Sequence, residues 1–160
     1  MTIYFATDHA GFELKNTLLI YVRDELGYEV EDCGAVEFNS EDDYPLFIKK
    51  AAQAVSESPE NSMAIILGAS GQGEAIVANR FDGVRAVVYY GDIQKTQKDE
   101  SDNELSILTS SRLHNNANVL SLGARFLDDD EAKNAVELWL STEFTGEERH
   151  QRRISLIDNR

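Results

Sequence analysis

The apolar run at residues 63–67, Met-Ala-Ile-Ile-Leu, constrains the fold of this chain more than any other feature. A strand that is apolar at every position, and not only at alternate positions, is typical of a strand covered on both faces. The glycine-rich segment at residues 68–73 follows directly, and a helix is predicted from Glu74. The pattern therefore predicts a parallel sheet with a layer of helices on each side.

Further strand and helix patterns alternate along the chain in the same way. Strands are predicted over residues 2–7, 28–33, 84–89 and 118–122, and helices from about residue 12, over 44–56, 104–113 and 128–140, and from about residue 147. Because right-handed crossovers join such strands, we expect an α/β fold, a Rossmann-like three-layer αβα sandwich with a five-stranded, mainly parallel sheet. We expect one domain over residues 1–160, with an inserted polar loop at about 91–103 and an arginine-bearing C-terminal helix.

Charge and composition exclude several classes of partner and site. The formal net charge of -14 repels phosphodiester backbones, so we expect no nucleic-acid partner. No apolar run approaches the length that a bilayer span needs, so we expect no membrane partner and a cytoplasmic location. The single cysteine, Cys33, lies in a predicted strand and is interpreted as a small core residue. Together with three scattered histidines, it does not suggest a metal site.

Polar side chains follow the predicted strands at the edge where parallel strands end. Asp8 and His9 follow the first strand, Tyr44 begins the helix after the second, and Arg125 follows the fifth. The glycine-rich segment follows the third strand. Ligands bind at this edge of an open α/β sheet, so we expect these groups to share a site.

The glycine-rich segment and Glu74 each have a functional and a structural interpretation. Three glycines within six positions allow backbone N–H groups to approach an anionic oxygen, or they serve a tight turn from strand to helix. Glu74 is favoured at a helix N-terminus by the helix dipole alone. Beside backbone donors, however, its carboxylate can remove a proton α to a carbonyl while those donors hold the enediolate oxygen.

The histidines and the tail arginines are equally open to two interpretations. His114 ends a predicted helix, where it can bond free carbonyl groups or act in catalysis. Asp8, with its neighbour His9, can form a helix N-cap, since Asp is a preferred capping residue. Five of the nine arginines lie in the last 36 residues, either as surface partners of glutamates or as an anion site.

Taken together, these residues resemble the type B ribose-5-phosphate isomerase family, whose relatives include allose-6-phosphate and galactose-6-phosphate isomerases. The resemblance covers nearly the whole chain. Its motifs are Asp8-His9-Ala10-Gly11-Phe12, Asp43-Tyr44-Pro45, Gly68-Ala69-Ser70-Gly71-Gln72-Gly73-Glu74, Ala78-Asn79-Arg80, Gly83-Val84-Arg85-Ala86, His114-Asn115-Asn116-Ala117-Asn118-Val119-Leu120, Gly123-Ala124-Arg125 and Arg149-His150-Gln151-Arg152-Arg153. One branch of the family uses a cysteine at the start of the glycine loop as the base, and another uses a glutamate at its end. This chain resembles the glutamate branch, because Gly68 stands at the cysteine position.

The resemblance implies cofactor-free interconversion of an aldose phosphate and a ketose phosphate through a cis-enediol, usually ribose 5-phosphate and ribulose 5-phosphate. It implies that Glu74 is the base, that Ser70 and the loop amides stabilise the enediolate, and that His114, helped by Asp8, opens the sugar ring. The implied substrate-binding residues are His9, Tyr44, Gly68, Ala69, Gly71, Gln72, Gly73, Asn115, Arg125, Arg149 and Arg153, of which His9 and the three arginines hold the phosphate. No metal is implied.

The family also implies a homodimer, or a tetramer, with each site shared between two subunits. The chain departs from the family at Ala69, which replaces a glycine, and in the longer segment between Tyr90 and His114. A hexose phosphate therefore remains an alternative substrate, and a non-catalytic sugar-phosphate-binding module remains an alternative function. Retention of both Glu74 and His114 favours the enzyme.

Overall fold

The computed structural model of the chain describes residues 1–92, 97–98, 102 and 104–158. Strands and helices alternate along it. The strands are β1 (Thr2–Thr7), β2 (Glu29–Asp32), β3 (Ser62–Gly68), β4 (Ala86–Tyr89), β5 (Gln97–Lys98), β6 (Glu104–Leu105) and β7 (Val119–Gly123). The helices are α1 (Phe12–Asp24), α2 (Tyr44–Glu57), α3 (Gln72–Ala78), α4 (Ile107–Asn115), α5 (Asp129–Ser141) and α6 (Glu148–Asp158), and a 3-10 turn (His9–Gly11) precedes α1.

Five of the strands form one parallel sheet in the order β2-β1-β3-β7-β4. The apolar run lies in β3, at the centre, where Ile65 pairs with Phe5 of β1 and with Leu120 of β7. This arrangement confirms the predicted αβα sandwich with a five-stranded parallel sheet. β5 and β6 form a separate antiparallel pair.

Alternate residues of the central strands pack into two separate apolar clusters, one on each side of the sheet. Ile65 packs with residues of α1 and α5, including the fully buried Trp139. Its neighbours Ala64 and Ile66 pack with residues of α2 and α3. Fully burying an isoleucine or leucine side chain contributes about 1.5–3 kcal/mol, so this central strand is the main anchor of both helix layers.

Two predicted helix boundaries are wrong, for local reasons. The helix predicted over residues 104–113 begins at Ile107, because Glu104–Leu105 pairs as a strand and the Ser106 side chain caps the helix by accepting from the N–H of Thr109. The helix predicted from Glu74 begins at Gln72, because Gly71 has a left-handed backbone (φ 76) and serves as the N-cap. Glu74 is therefore the third residue of α3.

The predicted inserted loop at 91–103 lies largely outside the described residues. Its described part includes β5, which pairs with β6. Within the described part of the chain, no helix has the length and apolar character required to cross a bilayer.

Candidate active site

The carboxyl edge of the sheet brings together most of the predicted site. The glycine loop follows β3, and Arg125 follows β7 with its backbone N–H 3.2 Å from the carbonyl oxygen of Ala69. The 3-10 turn after β1 packs directly against β3. The contact at Gly11 is so close that a side-chain carbon there would overlap Thr7 and Leu67. Asp8 and His9 are thereby held beside the glycine loop.

The Glu74 carboxylate occupies the space beside Gly68 that a side chain at that position would fill. A methyl carbon placed on Gly68 would lie 2.6 Å from Glu74 Oε2 and closer still to Oε1 and Cδ. Glu74 is only 4% exposed. The glycine at residue 68 and the glutamate at residue 74 are therefore sterically dependent on each other.

Burial raises the pKa of Glu74 above its ordinary value. A hydrogen bond from its own backbone N–H opposes this effect, and the nearby negative charge of Asp8 adds to it. The sequence does not indicate whether burial or the backbone donors at the helix N-terminus have the greater effect on this pKa. In the structure, the effect of burial is the greater. A carboxylate with a raised pKa is a stronger base, which suits it to proton abstraction.

The glycine loop packs closely against its surroundings. A side-chain carbon at Gly71 would lie 3.1 Å from the backbone of Leu122, and one at Gly73 would lie 2.7 Å from the Tyr44 hydroxyl oxygen. Tyr44 is the first residue of α2, with Pro45 in the first turn as predicted. Its phenol therefore closes over the loop. Among described residues other than glycine, the positive φ angles belong to Asp102 and Asn116, so Ala69 fits the loop without backbone strain.

The backbone N–H groups of the loop are not used by the helix ladder. The first bond of α3 runs from the N–H of Ala75 to the carbonyl of Gly71 at 3.1 Å. Gln72, an exposed residue, makes only a long contact of 3.4 Å from its N–H to Ser70 Oγ. The N–H groups of Gly71 and Gly73 therefore remain available to an anionic oxygen, whereas the Glu74 N–H bonds its own carboxylate.

Asp8 and His9 meet a third polar residue, Asp42. Asp8 accepts from the N–H of Ala10 at 2.9 Å, which confirms its capping role. His9 Nδ1 lies 2.7 Å from Asp42 Oδ1. In the described part of the chain, these three side chains form the group that could hold a metal ion, with ligand atoms within 4.8 Å of one another. Asp42 is not among the site residues predicted from the sequence, since an acidic residue in a polar loop carries no distinguishing signal.

The remaining predicted residues lie at the opposite, amino edge of the sheet. His114 and the exposed Asn115 end α4, just before β7 begins. Arg85, which precedes β4, bonds the Asn116 carbonyl at 3.0 Å and Asp158 of α6 at 2.8 Å, so the end of α6 also lies at this edge. Five residues of β7 separate the two edges, which corresponds to about 15 Å. One subunit therefore does not bring Glu74 and His114 together.

His114 stacks on a second histidine, His150 of α6. The ring centroids are 4.5 Å apart and the planes differ by 13°. His150 is 4% exposed, and burial, with the nearby charges of His114 and Arg149, lowers its pKa. After the end of α4, the carbonyl oxygen of Ala117 accepts a hydrogen bond from the Arg112 guanidinium at 2.5 Å, and not from His114. Stacking, rather than carbonyl capping, is thus the structural role of His114 within one subunit.

Two of the predicted phosphate ligands, Arg149 and Arg153, lie on α6. Arg149 Nε lies 2.9 Å from Glu147 Oε2, which confirms the predicted surface pairing for this residue. Arg153 is exposed on α6. Cys33 follows β2 and packs partly buried against the apolar cluster of α2, and burial raises its pKa to about 11. A thiol of this kind is a poor nucleophile, in agreement with its interpretation as a packing residue.

Nearly the whole chain matches a known protein family. A family model described as Ribose/Galactose Isomerase matches residues 3–157. The chain belongs to this family. Ribose-5-phosphate isomerase B of Mycobacterium tuberculosis is 34% identical over 157 residues, which cover 98% of this chain and 88% of that protein.

Solved structures of the same enzyme family share the fold. Ribose-5-phosphate isomerase B from Mycoplasma genitalium, crystallised with bound ribulose 5-phosphate, matches with a TM-score of 0.85 and 32% identity, covering 99% of this chain and 94% of that one. The ribose-5-phosphate isomerase of Thermotoga maritima matches with a TM-score of 0.81 and 37% identity, covering 99% and 98%. The likeness extends over the whole sheet and both of its helix layers.

Proposed function

We propose that the protein interconverts an aldose phosphate and a ketose phosphate, namely ribose 5-phosphate and ribulose 5-phosphate, with Glu74 as the base. The observation that carries the proposal is the buried Glu74 carboxylate, which lies over Gly68 at the mouth of a loop with free amides. Membership in the ribose/galactose isomerase family and the relatives named above supply the substrate class.

In the proposed reaction, Glu74 takes the proton from C2 of the open-chain aldose and returns it to C1, while the proton of the O2 hydroxyl passes to O1 through the cis-enediol. The negative charge that develops on the substrate oxygen is stabilised by Ser70 and by the N–H groups of Gly71 and Gly73. Each well-placed donor of this kind contributes about 3–4 kcal/mol to the transition state. The chemistry uses only groups of this protein and its substrate, so the proposal requires no cofactor.

The proposed sugar-phosphate contacts divide between the two edges of the sheet. At the carboxyl edge, Tyr44 positions hydroxyl groups, Arg125 and His9 bind the phosphate, and Asp8 assists ring opening. At the amino edge, His114 opens the ring and Asn115 contacts a hydroxyl. Arg149 and Arg153 complete the phosphate site from α6.

This division supports a homodimer in which the amino edge of one subunit faces the carboxyl edge of its partner. Exposed apolar side chains that suit such an interface lie on both parts. Phe38 (63% exposed) and Leu46 (62%) flank the carboxyl-edge site, and Leu156 (74%) lies on α6. A surface of this kind is typical of subunit contact. We also propose a cytoplasmic location, which suits a chain with one cysteine and no possible internal disulfide.

The test is a coupled isomerisation assay with ribose 5-phosphate, allose 6-phosphate and galactose 6-phosphate as separate substrates. The proposal expects turnover of ribose 5-phosphate with the highest kcat/KM. Turnover of a hexose phosphate and not of ribose 5-phosphate would show that the isomerisation is as proposed but that the substrate is a six-carbon sugar phosphate. Binding of all three without turnover would identify a non-catalytic sugar-phosphate-binding module.

A further inference from the structure

His9 is fastened to a single oxygen of Asp42 by two hydrogen bonds. Its backbone N–H donates to Asp42 Oδ1 at 3.0 Å, and its ring Nδ1 lies 2.7 Å from the same oxygen. An ionised carboxylate only accepts hydrogen bonds, so the proton resides on Nδ1. The other ring nitrogen, Nε2, is the one that remains for a ligand.

Asp42 is buried behind this ring. Its side chain is 8% exposed, whereas the His9 side chain is 30% exposed. Asp42 Oδ2 has no hydrogen-bond partner among the described residues. A buried carboxylate is stabilised by the hydrogen bonds that it accepts, and His9 supplies both of those made to Asp42 Oδ1.

The surrounding loop holds both residues in place. The Asp42 backbone N–H bonds the Asn39 carbonyl at 3.1 Å, and the ring of Phe38 lies edge-on to His9 with centroids 6.4 Å apart. The fully buried Lys15 bonds Asp32 and the carbonyl of Ala35, which fixes the start of the same loop. The imidazole is therefore held from the side of the protein interior.

We propose that Asp42 is a positioning residue that acts through His9: it fixes the orientation of the ring so that Nε2 faces the substrate phosphate. The inference rests on the proposed function, in which His9 is a phosphate ligand. Asp42 thereby joins the site as a residue that no sequence motif indicates.

The test measures binding of inorganic phosphate by calorimetry, and KM and kcat for ribose 5-phosphate, in Asp42→Ala, Asp42→Asn, His9→Ala and the double variant His9→Ala/Asp42→Ala. Removing a charge-assisted hydrogen bond predicts a loss of phosphate affinity of about fivefold or more in Asp42→Ala, with a similar rise in KM and a smaller change in kcat. Asp42→Asn keeps an acceptor oxygen but loses the charge, so its loss is smaller. Glu41→Ala, which removes an exposed charge from the same loop, is the matched control.

The double variant separates positioning from general loop stability. If Asp42 acts through His9, Asp42→Ala costs less than about twofold in the His9→Ala background. An equal cost in both backgrounds would overturn the inference, as would losses below about twofold in both single Asp42 variants. If Asp42→Ala does not fold, Asp42→Asn alone decides by the same twofold limit.

Failure of the proposed function gives a different result. In that case no sugar phosphate turns over, while the dependence of phosphate binding on Asp42 and His9 is still measured. Turnover of ribose 5-phosphate with unchanged phosphate affinity in His9→Ala would keep the isomerase and overturn the role of Asp42.

Discussion

Gly68→Ala tests whether Glu74 must occupy its observed position. The added methyl carbon would lie 2.6 Å from Glu74 Oε2, whereas ordinary contact begins at 3.4 Å, and Oε1 and Cδ would be closer still. The carboxylate must therefore move by about 1 Å or more. A misplacement of about 1 Å at a reacting group can cost about 10²-fold in rate, and we expect kcat to fall by that factor.

The same substitution should leave the fold nearly unchanged in stability. The overlapping atoms are the far end of a flexible side chain, which moves at little cost, and replacing glycine with alanine at a compatible backbone contributes about 0.4–1 kcal/mol through the unfolded chain. Thermal unfolding is the control, and a melting temperature close to that of the wild type is expected. A folded Gly68→Ala variant with kcat within about threefold of wild type would refute the reasoning, because the base would then not need its observed position.

Three further substitutions or treatments have expected results. Glu74→Gln should abolish turnover yet raise the melting temperature at neutral pH. Because burial raises the pKa of Glu74, the folded protein binds this proton more tightly than the unfolded chain does. The resulting contribution to folding stability is full below the ordinary glutamate pKa and is lost as the pH rises through the pKa of the folded state. Equal melting temperatures for the two proteins from pH 4 to pH 7.5 would contradict this. Arg149→Ala should raise KM by about tenfold with a smaller fall in kcat, since it binds ground state and transition state alike, and an unchanged KM would assign the residue to its surface pair with Glu147. Dialysis against a chelator should leave turnover unchanged, and a loss restored by a divalent cation would instead assign Asp8, His9 and Asp42 to a metal site.

Much of the fold follows from sequence patterns that are local. The apolar run of β3 and the alternation of strands with helices are sufficient to predict five parallel strands between two helix layers. Convergence of Asp8, Tyr44 and the glycine loop follows from the topology, because the carboxyl ends of parallel strands share an edge. These features depend on periodicity and chain direction, which a sequence displays directly.

Features that depend on tertiary contact were not predictable. The Glu74 carboxylate lies against Gly68 because Gly71 turns the chain back. The residue types at positions 68 and 74 do not reveal this contact. The partnership of His9 with Asp42 joins residues 33 positions apart through a loop without periodicity. The placement of Glu74 and His114 at opposite edges of the sheet becomes visible only in the structure. The family resemblance implied a site shared between two subunits, but it did not indicate which residues lie at which edge.

A mixing experiment with Glu74→Gln and His114→Ala tests the central claim most directly. If each site combines Glu74 of one subunit with His114 of its partner, a heterodimer of the two inactive variants contains one intact site. Random exchange of equal amounts then restores about a quarter of wild-type activity, since half of the dimers are mixed and each has one working site. Absence of any restored activity, in dimers shown by a tag to be mixed, would contradict the account.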